Sequence, residues 1–517
     1  MPYAVDLFCG AGGFSEGILQ AGFNIIFSSD KSSMVKETYI NRHKQLGIIE
    51  GRDTHFELID VKDLSAQKIF DEVNKLKYGN IFKKGNIDAF FGGPPCQGFS
   101  RLGKRDSSDP RNMLFHEYLR LIKGVRPKYV VLENVTGILD MYMLDFPSVL
   151  NDSKYLGQNL VKDILKRELE GLNYNLLNVQ VLNAADFGVP QRRNRVVFLA
   201  YRKDVTPLKY PKPAHNKVSV YDALGDLYSD NPYSTEYSKE SIVGRTPNYK
   251  TGIPIRREKI TNMELPHHDI VVQERFSLYE EGENKKGALS RLRISGIDLM
   301  KKTPALFWSS LFNLNEQVIA DELKKILQKE NFKNIDHIFK NFTFINKLLA
   351  NIALADEKHQ KREYDFQLNK LAKRLQINLE RTKSIWKKLS KAIQIEKLSI
   401  SYNQKMKEGK INDTEGESLF TKKGIRSRLD PKSVAPTMVT LPDDFIHPYY
   451  DRILTVREMA RLQSFDDSFE FIGKRTTGGI KRKQEIPQYT QVGNAVPPLL
   501  AKKIAQEVLN AIKNNDM

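Results

Sequence analysis

Residues 1–200 alternate short apolar runs with amphipathic stretches. The runs at Ala4–Phe8, Asn24–Ser28, Ile87–Phe91, Tyr129–Leu132, Leu176–Leu182 and Arg195–Ala200 predict strands. Between them, apolar positions at three- and four-residue spacing predict helices near Phe14–Ala21, Ser33–His43, Ala66–Lys75, Asn112–Lys123 and Leu160–Glu168. This rhythm predicts an α/β domain wound on both faces of a sheet.

The pattern changes after Pro207, Pro211 and Pro213. From there to about Lys423 the chain is polar, rich in Lys, Asn and Glu, and without strand–helix–strand rhythm; the insert is large enough to be a domain. Residues Asp321 to Leu398 read as several basic helices, with Leu368, Leu371, Leu375 and Leu379 at helical spacing and Lys370, Lys373, Arg374, Arg381, Lys383, Lys387 and Lys388 on other faces. An ordinary solvated amphipathic helix accounts for this stretch, and a helical DNA-contacting element is the rival reading. Leu371–Leu375 followed by Ile385–Leu389 is faintly similar to a helix-turn-helix, but the interval is too long for its turn. Order returns past Gly424. Ala435–Thr440 reads as extended, Thr455–Gln463 as a helix with Thr455 and Glu458 forming a capping box, and Leu499–Ile512 as a final helix.

The 517 residues carry a formal net charge of +18, which suits a polyanionic partner and makes nucleic acid the default. There are only two cysteines, Cys9 and Cys96. That excludes a disulfide framework and a cysteine-rich zinc site, and no metal is expected. Met1–Asp6 runs straight into a strand without the pattern of a signal peptide, and no apolar stretch is long enough to span a bilayer. The expectation is a soluble, cytoplasmic protein.

Candidate chemistry sits at predicted strand ends. Gly92-Gly93-Pro94-Pro95-Cys96-Gln97-Gly98-Phe99-Ser100 places a thiol after one strand, on a loop stiffened by two prolines, and Glu133-Asn134-Val135 places a carboxyl after the next. Open α/β sheets bind ligands at that end of their strands. Gly10 and Gly12, between the first strand and helix, allow a tight turn and close approach to a ligand, and Asp30 ends the next strand where an acid grips ribose hydroxyls. The pattern is not the full G-x-G-x-x-G that backs a pyrophosphate, so an adenosine cofactor without phosphates fits better than NAD, and S-adenosylmethionine is the candidate. Asp60 reads equally as an acceptor for the adenine amino group and as a surface turn residue. Cys9 reads as a packing residue.

These motifs, with Gln191-Arg192-Arg193-Asn194-Arg195, Arg457-Glu458-Met459-Ala460-Arg461-Leu462-Gln463-Ser464-Phe465 and Gly493-Asn494-Ala495-Val496-Pro497, resemble in content and order the DNA cytosine-C5 methyltransferase family of restriction–modification type. The resemblance covers roughly the first 200 and last 90 residues. It implies a discontinuous, Rossmann-like S-adenosylmethionine-dependent domain with an inserted target-recognition domain. The corresponding division is 1–213 for the first catalytic part, 214–484 for the recognition region including the Arg-Glu helix, and 485–517 for the closing segment.

The resemblance also implies roles. Cys96 adds to cytosine C6, Glu133 bonds N3 and the N4 amine, and Arg195 holds cytosine O2 or supplies positive potential. Arg193 is equally placed for that work or for meeting solvent or phosphate. Phe8, Pro94, Asn494 and Ala495 join Gly10, Gly12, Asp30 and Asp60 at the cofactor. The substrate is double-stranded DNA, with the target base swung out of the stack and the basic loop Phe99–Arg105 placed to close over it. A monomer is expected, with any cognate endonuclease a separate protein. The rivals are a tRNA cytosine-C5 methyltransferase of the same fold, a non-catalytic DNA-binding regulator, and an NAD-dependent oxidoreductase.

Overall fold

The computed structural model describes residues 1–95, 113–214, 216–227, 235–333, 335–422, 424–477, 481 and 484–515. The chain divides into two compact units. The first comprises Met1–Leu265, Pro431–Pro442 and Leu454–Met517, and the second Pro266–Asp430 and Asp443–Ile453.

The strands are β1 (Tyr3–Leu7), β2 (Asn24–Asp30), β3 (His55–Leu58), β4 (Ala89–Gly92), β5 (Tyr129–Asn134), β6 (Tyr142–Pro147), β7 (Lys154–Leu160), β8 (Tyr174–Leu176), β9 (Gln180–Asn183) and β10 (Asn194–Arg202). In the first unit the main sheet runs β3-β2-β1-β4-β5-β10-β8, with β9 also paired to β10. The pairs among β1 to β5 are parallel, whereas β10 is antiparallel to β5, β8 and β9. Successive side chains point to opposite faces, so an apolar run serves two cores. Val5, Leu7, Phe90, Val130 and Leu132 face one core with helices Ala66–Val73, Leu114–Val125 and Val161–Gly171. Ala4, Phe91, Tyr129, Val131 and Leu199 face the other with helices Gly13–Ala21 and Pro498–Asn515. The doubly wound α/β expectation holds.

The last helix closes on the first through two glycines. A Cβ on Gly13 would stand 2.5 Å from the Val496 carbonyl oxygen, and one on Gly17 2.4 Å from the Ala501 Cβ. Only hydrogen side chains permit that approach. The chain ends therefore build one domain, as the motif order implied.

Three local expectations change. Leu176–Leu182 is not one strand: β8 ends at Leu176 and β9 starts at Gln180, each pairing with a different stretch of β10. Residues 142–160, not predicted as strand, form the β6–β7 hairpin. The break between units lies at Leu265/Pro266 rather than 213/214, and the Arg-Glu helix, Val456–Leu462, belongs to the first unit. Buried ion pairs explain this: Arg245 meets Asp466 at 2.8 Å and Arg257 meets Asp467 at 2.7 Å, fastening 236–262 to the segment after that helix. The capping box of Thr455 and Glu458 is present as expected.

The second unit is helical from Ile270 to Phe420, with a two-stranded ladder of Ser427–Arg428 and Phe445–Ile446. Its core gathers Phe307, Leu311, Ile345, Leu349, Leu371 and Ile385. Leu368, Leu371 and Leu375 are buried on one helix, Lys361–Leu375, but Leu379 starts another. No helix among the described residues is long and apolar enough to cross a membrane.

Candidate active site

The site grows from the carboxyl ends of β1, β2, β4 and β5. Between β1 and its helix the backbone passes through three positive-φ positions: Phe8 (φ 57), Gly10 (φ 55) and Gly12 (φ 97). A Cβ at Gly10 would meet nothing within 4 Å, so glycine is required there by conformation, and the space beside the loop is open. Asp30, at the end of β2, accepts from the Gly10 amide at 3.2 Å and the Ser32 amide at 2.9 Å. Each of its oxygens thus takes one backbone donor and keeps acceptor capacity for a ligand hydroxyl. Burial raises its pKa against those bonds.

Asp60 lies next to this acid in space. The Ile59 amide donates to the Asp30 carbonyl, and Lys31 stands 3.8 Å from the Asp60 carboxylate. Asp60 also accepts from the Lys62 amide and stays partly exposed. Ala495 reaches the other side of the glycine loop, its Cβ 2.9 Å from where a Gly13 Cβ would be; Asn494 is exposed. Phe8, Gly10, Gly12, Asp30, Asp60 and Ala495 thus surround one loop system. The loop, with its open flank and a carboxylate holding spare lone pairs, fits an adenosine-type ligand. Cys9 is buried against Tyr39 and Phe56, and burial holds its thiol well above the ordinary range, which makes it a packing residue.

The second cluster lies on β4, β5 and β10. Tyr118 donates to the carbonyls of Phe90 (3.1 Å) and Val131 (2.9 Å), fixing β4 beside β5. After β4 the chain runs Gly93-Pro94-Pro95. The Asn134 amide holds the Pro94 carbonyl at 3.2 Å, and a Cβ at Gly93 would sit 3.1 Å from Glu133 Oε2. The proline turn therefore lies directly against the Glu133 carboxyl. Cys96 and the basic loop after it fall outside the described residues.

Glu133 and Arg195 meet because β10 runs antiparallel to β5, with Val197 opposite Glu133. Arg195 is two residues away on the same face. Its Nε stands 2.6 Å from Glu133 Oε1. That oxygen has no well-directed hydrogen bond, so the pair is a close ionic contact rather than a bidentate clamp. Burial raises the Glu133 pKa above its ordinary value, against the opposing pull of Arg195 and then Arg193.

Arg193 is elsewhere engaged. It is fully buried and donates to the carbonyls of Met438 (2.9 Å) and Gly493 (2.8 Å). Its guanidinium reaches Glu133 only as a field and braces the segments that close the domain. Gln191 does similar work: its side-chain amide donates to the Leu462 carbonyl at 3.1 Å and its oxygen accepts from the Met438 amide at 2.9 Å. The Gln-Arg-Arg motif thus supplies two struts and, through Arg195, one partner for Glu133. The sequence did not single out Tyr118 or the Asp6–Ser15 pair. Asp6 on β1 accepts from Ser15 Oγ at 2.5 Å, and burial pushes its carboxyl up to about 7.

A C-5 cytosine-specific DNA methylase family model matches residues 3–306 and 312–510. The chain belongs to that family. The enzyme is a DNA cytosine-C5 methyltransferase, of the class that depends on S-adenosylmethionine. It is 27% identical over 508 residues to the Type II methyltransferase M.DdeI of Desulfomicrobium norvegicum, spanning 98% of this chain and 88% of that protein. It is 28% identical over 515 residues to the Type II methyltransferase M.AgeI of Thalassovita gelatinovora, spanning 98% and 99%. Among solved structures, an E. coli prophage-encoded protein described as a DNA modification methyltransferase aligns with a TM-score of 0.55 at 20% identity, over 99% of this chain and 100% of that one, which supports the fold.

Proposed function

We propose that this enzyme methylates one cytosine within a specific duplex DNA sequence through a covalent adduct between Cys96 and cytosine C6, and that it marks self DNA in a restriction–modification system. The observation that carries the mechanism is the buried, raised carboxyl of Glu133, set against the proline turn that leads to Cys96 and facing Arg195. S-adenosylmethionine, held by Phe8, Gly10, Gly12, Asp30, Asp60, Pro94, Asn494 and Ala495, supplies an electrophilic methyl on sulfonium sulfur.

The residues of the chain do the rest. The Cys96 thiolate bonds to C6 while Glu133 gives its proton to N3, which makes C5 nucleophilic. A carboxyl raised by burial keeps that proton at a pH where an exposed glutamate has lost it. Arg195 holds cytosine O2 and steadies the carboxylate formed. Once C5 carries the methyl, water removes the C5 proton, the C6–S bond breaks, and the N3 proton returns to Glu133. Arg193 acts through position, by fixing the Met438 and Gly493 backbone. The target base must leave the stack, at a cost of a few kcal/mol.

The Type II methyltransferase relatives support the restriction–modification role, and any cognate endonuclease is a separate protein. The enzyme works as a monomer in the cytoplasm. The second unit, together with flanking parts of 214–484, is the target-recognition region. Bisulfite sequencing of host DNA tests this: expression of the chain protects cytosines within one short motif, and Cys96→Ser abolishes the protection. Protection without the thiol, or no protected motif, overturns the proposal.

A further inference from the structure

The helices Lys361–Leu375 and Leu379–Ala392 pack against each other across three residues. Gln376 takes the left-handed conformation (φ 57, ψ 43), the Ile377 amide closes back on the Ala372 carbonyl at 3.0 Å, and Asn378 caps the second helix by accepting from the Arg381 amide at 2.9 Å. The sequence interval that looked too long is helix on both sides, and the turn itself has the length a helix-turn-helix needs. Leu371, Leu375, Ile385 and Leu389 are buried between the helices and the core, and the small Ala372 sits beside the turn.

The outer face of the second helix is sorted. Arg381 and Lys388 turn to Glu330, and Lys383 to Asp365 and Glu380. Glu380, Ser384, Lys387 and Lys391, at helical spacing, form an exposed stripe, and Lys387 and Lys391 pair with no carboxylate among the described residues. On the first helix, Lys370 and Lys373 are likewise exposed without a carboxylate partner among the described residues.

We infer that this pair is the DNA-reading element of the second unit, with the Leu379–Ala392 helix in the major groove of duplex DNA and the Lys361–Leu375 helix along the phosphates. The inference rests on the proposed methyltransferase function. A helix in that groove reads bases with its exposed first turns while its partner crosses the backbone. Glu380 matches the cytosine N4 donor, Lys387 the guanine O6 and N7 acceptors, and Ser384 either kind of edge. Lys370 and Lys373 suit phosphates, which position without specifying. The lysines left without a carboxylate among the described residues on these faces favour a polyanion over a protein partner.

The test uses the full chain with single variants Glu380→Gln, Ser384→Ala and Lys387→Ala, and a double variant Lys370→Ala/Lys373→Ala. All five substituted positions are exposed, so folding is not at stake. Bisulfite sequencing should show the base-facing variants relaxing the motif at one or two positions, with efficiency at the original motif falling about tenfold to a hundredfold. On mixed-sequence duplex, the double variant should weaken binding evenly and flatten the salt dependence by about two log units per log unit of salt, whether or not methyl is transferred. Unchanged motif and unchanged salt slope would overturn the inference. A wild-type chain that methylates nothing would instead overturn the function, while the salt arm still judges the helices.

Discussion

Two buried charge clusters in the first unit are built on opposite plans. At the ends of β5 and β10, Glu133 meets one guanidinium, Oε1 lacks a well-directed donor, and burial wins: the carboxyl is raised. Around the Val456–Leu462 helix, the buried carboxylates of Asp226 and Asp467 are both paired with arginine. Arg461 is gripped by Asp467 at 2.5 and 2.7 Å and by Asp226 at 2.9 and 3.0 Å, and Arg257 gives Asp467 a second cation at 2.7 Å. Burial, the largest single influence, would raise Asp467, but the bonds to Arg461 together with the charges of Arg461, Arg457 and Arg257 outweigh it and the carboxyl is lowered. Nearby, Arg42 clamps Glu16 at 2.9 Å through both Nε and Nη2. The carboxyl proposed to exchange a proton is left under-compensated, while those that fasten distant segments are paired.

The largest separation between the plans should come from Glu133→Gln. Turnover is expected to fall by about 10²- to 10⁴-fold in a methyl-transfer assay, while the thermal midpoint stays level, because the carboxylate no longer has to be buried and the partly exposed Arg195 keeps access to water. The mirror experiment is Arg461→Met. Stranding Asp226 and leaving Asp467 with Arg257 alone should lower the unfolding free energy by about 3–5 kcal/mol in urea, with turnover per folded molecule kept. If Arg461→Met cost activity but not stability, the contrast would collapse.

Gly17→Ala probes closure of the domain without touching either cluster. The new methyl would overlap Ala501 and the Lys502 backbone, where both contacts stand at 2.4 Å. A loss of about 1–3 kcal/mol is expected.

The smallest effect is a pH signature. Folding raises the Glu133 pKa above its ordinary 4.5, so folding favours the protonated form. That stabilising contribution is full below 4.5 and is lost as pH rises through the raised folded value. Wild type should therefore lose stability relative to Glu133→Gln as pH climbs from 4.5, and the loss should level off above the raised folded value. The opposite slope would mean that Arg195 over-compensates the carboxyl.

Much of this was legible in the sequence, for identifiable reasons. β1, β2, β4 and β5 stood out because both faces are buried, which forces near-continuous apolar runs. The glycine loop, Asp30, the proline turn and Glu133 stood out because chemistry at strand ends needs particular residue types at fixed chain positions. Arg193 did not reveal its task, since an arginine looks the same in sequence whether it meets substrate, solvent or the Met438 and Gly493 carbonyls. The boundary at Leu265 was hidden because 236–262 joins the first unit through ion pairs with residues over 200 positions away, not through apolar rhythm. The β6–β7 hairpin was hidden because its alternation is broken by the irregularity between Leu144 and Phe146 and by Asp145, Pro147 and Gly157. The turn at Gln376 was missed because a non-glycine residue adopts the left-handed conformation there.

The most direct measurement is covalent trapping on duplex DNA synthesised with 5-fluorocytosine at every cytosine, so that any recognition sequence is present, with S-adenosylmethionine added and adducts resolved on a denaturing gel. The account predicts a stable adduct with the wild-type chain, none with Cys96→Ser, trapping slowed at least a hundredfold by Glu133→Gln, and a wild-type rate per folded molecule for Arg461→Met. An adduct that survives loss of the Cys96 thiol, or a wild-type chain that never forms one, would contradict it.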